Sequence, residues 1–205
     1  NFYIPVFKSE EFDGSNYEIR SLNLTMKKFK YLGLFGITGT NTRLSDINLV
    51  NCTITGNNYL GGLVGRNHGT IDGCTVDSHV DGKQYLGGLV GRNDGPLRNT
   101  GVSSTVNGTE YIGGLCGYNF QSDIFNCSSS GKTSGSLRIG GLIGNNEGNS
   151  ATINGSYSIC DIIITSGDYT QTGGFIGSSS VSEIINCFSG GSIRGRSWYV
   201  GGFIG

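Results

Sequence analysis

The chain has 205 residues, a formal net charge of −1 and only 14% charged side chains, with 37 glycines against 2 prolines. That balance excludes nucleic-acid or anionic-membrane binding driven by bulk charge, and it excludes a highly charged disordered chain. No strict G-X-Y period points to collagen, and no run approaches the roughly 20 apolar residues of a membrane span.

Residues 1–30 form an atypical lead-in. Phe12-Asp13-Gly14-Ser15-Asn16-Tyr17-Glu18-Ile19 reads as a turn entering a strand, with Ile19, Leu22 and Leu24 available to start a core. Lys27-Lys28-Phe29-Lys30 is the longest basic cluster and reads as a solvated edge. Because the chain opens on Asn1 and stops inside a repeat at Gly205, it is expected to be a piece of a longer protein.

From Tyr31 to Gly205 one unit recurs. Gly61-Gly62-Leu63-Val64-Gly65 returns as Gly87–Gly91, Gly113–Gly117, Gly140–Gly144, Gly173–Gly177 and Gly201–Gly205, with a shorter first copy at Gly33–Gly36. The closing glycines, Gly36, Gly65, Gly91, Gly117, Gly144, Gly177 and Gly205, are 29, 26, 26, 27, 33 and 28 residues apart. Self-similarity at a period of about 20 to 50 residues is the mark of a repeat architecture.

Each unit opens on an aromatic-apolar pair such as Tyr59-Leu60, Tyr85-Leu86 or Tyr111-Ile112. The glycine motif follows. Leu60 and Leu63 have opposite parity, so a bend at the intervening glycines is needed to turn both inwards. Next comes a polar segment, as in Arg66-Asn67-His68-Gly69, where Asn and Gly are expected to supply left-handed turn conformations. The unit closes on an alternating strand. Cys74, Val76, Ser78 and Val80 share one parity, and Thr75, Asp77, His79 and Asp81 the other. Thr100, Val102, Ser104 and Val106 follow suit, then Cys127, Ser129, Gly131 and Thr133.

This pattern predicts an all-β fold: a parallel β-helix of about seven coils of ~26 residues, with two or three short strands per coil and rungs ~4.8 Å apart. The small inward residues predict a filled coil, not a barrel around a cavity.

The Gly-Leu-Val-Gly core, followed by a polar turn and an Ile-x-x-Cys strand (Ile71 to Cys74), resembles the GLUG repeat. Phe12-Asp13-Gly14 with Tyr31-Leu32-Gly33-Leu34-Phe35-Gly36 is similar to the lead-in of such arrays, and the resemblance spans roughly residues 12–205. It implies a bacterial-type secreted or cell-surface protein. GLUG repeats occur in large adhesin-like proteins and in non-catalytic regions of some IgA-cleaving zinc metallopeptidases. The resemblance assigns no catalytic residue to the repeats. This chain departs from the pattern in its cysteines, in the longer step between Gly144 and Gly177, and where Arg138 and Gln171 replace the opening tyrosine.

The candidate chemistry is sparse. The two histidines, His68 and His79, lie in no His-Glu-x-x-His motif. Asp77, His79 and Asp81 alternate on an outward face, but the next rung offers Ser103, Thr105 and Asn107, so no carboxylate cluster forms. A Gly-Gly-x-Gly-x-Asp calcium ladder has only Asp94 at the required position. Thr53, Thr55, Thr75 and Thr105 only loosely suggest the flat threonine column of an ice-binding face. Among the six cysteines, only Cys52 and Cys74 are placed to bridge adjacent rungs, Cys74 and Cys127 being two rungs apart. Asn107-Gly108-Thr109 and Asn154-Gly155-Ser156 match the glycosylation sequon.

Tyr59, Tyr85 and Tyr111 are expected to stack in consecutive rungs, either as ladder residues that close the coil or as an exposed binding strip. The resulting expectation is a non-enzymatic adhesive surface, stalk or spacer. It would need no cofactor or metal, and its partner would be a host or neighbouring-cell surface protein or glycan. The runner-up is the non-catalytic arm of a zinc metallopeptidase, and a β-helical polysaccharide-active enzyme comes third.

Overall fold

Each unit supplies four strands, not two or three, because Gly61-Gly62-Leu63 is a sharp bend between two of them. In one rung they are Asn58–Gly61, Val64–Asn67, Thr70–Asp72 and Thr75–Asp81. The computed structural model describes residues 6–7, 10–148, 151–167, 169–180 and 183–205. Within these, every strand pairs in parallel with its counterparts in neighbouring rungs, so the four positions build four sheets. We name them the tyrosine sheet (six strands), the asparagine sheet (seven), the short sheet (seven) and the long sheet (nine). The protein is a parallel β-solenoid of about seven turns. Among the described residues no helix is long and apolar enough to cross a membrane.

The glycine motif is set by close approach. A Cβ on Gly62 would lie 2.5 Å from the Gly88 carbonyl oxygen and 2.7 Å from Val76 Cγ1. A Cβ on Gly91 would lie 2.5 Å from the Leu60 amide nitrogen, so the closing glycine of one rung seats against the tyrosine sheet of the rung before. The bend does turn both leucines inwards, into two different cores. Leu63 and Val64 pack with Leu44, Ile71, Cys74 and Val76 between the asparagine, short and long sheets. Leu60 packs with Ile54, Val80 and Leu86 between the long and tyrosine sheets. Each such leucine is fully buried and contributes about 2 kcal/mol by leaving water.

Alternation in the long sheet holds in its central rungs: Thr75–Asp81 runs outward and inward by turns, with Val76, Ser78 and Val80 buried. Gly131 breaks the pattern. It is exposed with φ +103°, and its ideal Cβ would strike the Ser104 carbonyl. An earlier irregularity at Val50–Cys52, with Asn51 at φ 55°, shifts register so that Cys52 pairs with Ser78 and not with Cys74. The expected Cys52–Cys74 adjacency is therefore absent, and all six cysteines are free.

The polar segment also differs from expectation. Asn67, Asn93, Asn119 and Asn146 have ordinary backbone angles and are fully buried. In the polar segments positive φ falls on Gln121 and, as expected of a turn glycine, on Gly148, and elsewhere left-handed residues form two columns. At the corner between the short and long sheets they are Asp46, Gly73, Asn99, Asn126, Gly155 and Asn186, residue types that accept this conformation readily. In the tyrosine sheet they are Tyr31, Tyr59, Tyr85, Tyr111 and Arg138, at φ 52–60°. The lead-in strands Glu11–Asp13, Glu18–Arg20 and Asn23–Thr25 pair in register with the rung that follows.

Candidate functional site

The tyrosine and asparagine sheets lead away from the glycine bend on either side, and their outward columns face each other where Tyr118 meets Tyr85 and Tyr111. One wall carries Tyr31, Tyr59, Tyr85 and Tyr111. Their rings stack at centroid spacings of 4.6, 4.5 and 4.6 Å with interplanar angles of 9°, 7° and 12°. The rings are half-buried and lie outside both cores. Their faces cover one another, which leaves mainly ring edges to solvent. Left-handed backbone costs a non-glycine residue roughly 1–2 kcal/mol, and a ring pair returns about 0.5–1.5 kcal/mol. The stack thus offsets much of the strain that it requires. Burial, then the neighbouring hydroxyls of Tyr59 and Tyr111, pushes the Tyr85 phenol up to about 12.

The facing wall is the register column Arg66, Arg92, Tyr118, Asn145 and Ser178. Tyr118 meets Tyr85 and Tyr111 edge-on at 5.7 and 5.6 Å, and its hydroxyl donates to Glu147 Oε2 at 2.5 Å. The Arg92 guanidinium lies over the Tyr118 and Phe120 rings at 5.0 and 5.4 Å. It also binds Asp94, which accepts from Arg66 as well, at 2.9 Å. The carboxylate singled out for a calcium ladder is therefore held by two arginines.

The ladder stops after Tyr111. In the next rung the Arg138 guanidinium takes the ring's place, 5.0 Å over Tyr111. It donates from Nη1 to Glu110 Oε1 (2.9 Å) and the Tyr111 hydroxyl (2.8 Å), and from Nε to Gln171 Oε1 (3.1 Å). Here lies a pocket of about 290 Å³ bordered by Tyr111, Arg138, Asn145, Glu147, Gln171 and Ser178 to Ser180. Sequence reasoning marked Arg138 and Gln171 only as departures from the repeat. It missed Asn145, whose signal is that it stands where earlier rungs place Arg66, Arg92 and Tyr118.

Sequence reasoning also missed the asparagine ladder. Asn67 Nδ2 donates to Asn93 Oδ1 (2.9 Å), Asn93 to Asn119 (2.8 Å) and Asn119 to Asn146 (2.9 Å). Thr38 Oγ1 joins at one end by donating to Asn67 Oδ1 at 2.7 Å, and Ser179 accepts from Asn146 at the other. The available signal was an Asn two residues after four successive closing glycines.

The remaining candidates do not converge. His79 Nε2 sits 2.6 Å from Asp81 Oδ2, and Asn107 donates to the other Asp81 oxygen, while Asp77 is exposed. Among the described residues no group of three or more His, Cys, Asp or Glu side chains is placed to hold a metal. Thr53 and Thr105 flank His79 in register, so the threonines form no continuous column. The Lys27 to Lys30 cluster is exposed. In the sequons, Asn107 is bonded to Asp81, and Ser156 is fully buried.

The fold defines the class, a parallel β-solenoid repeat protein. Within it the family model described as "The GLUG motif" matches residues 56–81 and 108–134, each spanning one complete rung. Two rungs of the chain therefore match the GLUG motif, and the rung between them keeps the same register. No curated protein and no solved structure matches the chain.

Proposed function

We propose that this chain is a non-enzymatic repeat segment of a large secreted or cell-surface protein, serving as an adhesive surface, stalk or spacer. The observation that supports this reading is the use of the repeated residues. The glycines, the inward leucines and the asparagines all act within the stack, while the outward face of the long sheet changes identity from rung to rung, as in Thr53, His79, Thr105 and Lys132. Such a rod projects a varied surface from a constant frame, and its partner is a host or neighbouring-cell protein or glycan. Beads coated with the 205-residue chain are expected to be retained on cell monolayers or matrix-coated plates above bovine serum albumin controls. Retention no higher than the control on every surface would remove the adhesive role and leave only the spacer.

A further inference from the structure

We propose that the pocket formed by Tyr111, Arg138, Asn145, Glu147, Gln171 and Ser178 binds one neutral saccharide unit, a deepening that rests on the adhesive reading above. Four consecutive tyrosine rings stack one on the next in the earlier rungs. Where Arg138 and Gln171 take over, the stack ends, and about 290 Å³ lies open. That volume is at the small end of ligand pockets, which run roughly 300–1,000 Å³, so one sugar ring suits it better than a peptide segment.

The pocket is built to meet hydroxyls. Asn145 is 8% exposed, and among the described residues its amide has no hydrogen-bond partner. That amide is not sealed from solvent, so it can exchange water for the hydroxyl groups of a ligand. Around it, Nη2 of Arg138 and Nε2 of Gln171 also lack partners among the described residues, as does the Ser178 hydroxyl. Glu147 keeps Oε1 as an acceptor, since Tyr118 takes only Oε2. Planar amide, guanidinium and carboxylate groups with hydroxyls between them can satisfy the adjacent donors and acceptors of a sugar. Among the described residues no aliphatic side chain borders the space, which disfavours an apolar ligand.

Charge decides between neutral and acidic sugars. The single cation, Arg138, is already paired with Glu110, and Glu147 adds a second carboxylate. A uronate or sialate carboxylate would therefore meet a net negative pocket. The exposed face of Tyr111 is covered by the guanidinium, so recognition falls to hydrogen bonds and not to ring stacking.

The test uses the whole chain with methyl α-glucoside, methyl α-galactoside, methyl α-mannoside and glucuronate, read by saturation-transfer NMR and calorimetry. At least one neutral glycoside is expected to bind, with Asn145→Leu weakening it roughly tenfold and Asp77→Asn, on another face, leaving it unchanged. Gln171→Ala, at a half-exposed position, provides the same loss should Asn145→Leu disturb folding by circular dichroism. The proposal is overturned if glucuronate binds more tightly than all three glycosides. It is equally overturned if the pocket variants bind as well as the parent, or if no neutral glycoside registers at any soluble concentration. Bead retention on cells that persists without any sugar binding overturns the pocket alone and leaves the adhesive reading standing.

Discussion

Asn93 offers the sharpest test of what holds the rungs together. Its amide is fully buried, accepts from Asn67 and donates to Asn119. Replacing it by alanine leaves Asn119 Oδ1 without that donor, at about 1–3 kcal/mol for a buried acceptor. Asn67 Nδ2 keeps its bond to the Gly69 carbonyl, so its loss adds only about 0.5–1 kcal/mol. The total is about 3 kcal/mol, equivalent to a fall in Tm of roughly 6–12 °C for a chain of this size. Asn93→Asp separates hydrogen bonding from volume. Burial raises the introduced carboxyl above its unfolded value of about 3.9. At pH 3 it is protonated in both states and can donate to Asn119. Above the unfolded value the denatured chain ionises first, so stability falls as pH rises. Thermal melts followed by circular dichroism should therefore show N93D less destabilised than N93A at pH 3 and more destabilised at pH 7. An N93A melt within about 1 °C of the parent, or a deficit of N93D independent of pH, would refute the ladder as a source of stability.

Gly88→Ala should cost about 3 kcal/mol, since its Cβ would sit 2.4 Å from the Gly114 carbonyl oxygen, whereas Gly202→Ala meets nothing within 4 Å and should be neutral; paired urea titrations check both. For Tyr85, neutral when folded up to about 12 against an ordinary value near 10, the associated stability is present below pH ~10 and declines as pH climbs towards 12. Tyr85→Phe should shrink that alkaline loss, as read from Tm against pH. Native alkylation with iodoacetamide followed by mass spectrometry should label half-buried Cys187 first. Cys74 and Cys127, pushed by burial to about 11 and about 12, should lag far behind, and prior labelling of either would contradict their burial.

Period and sheet direction could be read from the chain because each of the repeated glycines fills the same space in every rung. The inward column Val76, Val102 and the buried Ser78 and Ser104 were equally legible, since alternation maps directly onto one face of a strand. The strand count was not, because Gly61 to Gly65 looks continuous in sequence while its backbone folds back on itself. Asn67 and Asn93 were misread as turn residues because asparagine beside glycine more often sits in a turn. Here its amide found partners a whole rung away. The tyrosine stack was visible as a period, and so were its interruptions at Arg138 and Gln171. The pocket was not, because Asn145 and Ser178 reach it from another sheet and nothing local marks a cavity.

The uneven steps between glycines are absorbed at corners and at the strand irregularity beside Asn51. Asn119 to Ile124 spans five residues where Asn146 to Ile153 spans seven, yet Ile124 and Ile153 remain paired. Because the hydrogen bonds of all four sheets lie along the rod axis, tension applied from end to end loads them a rung at a time. A rung occupies about 4.8 Å of the folded rod, and its roughly 26 residues stretch to about 90 Å once peeled away. A pulled solenoid of this kind lengthens nearly twentyfold per rung released, which makes the stack a serial shock absorber whose capacity grows with every repeat added.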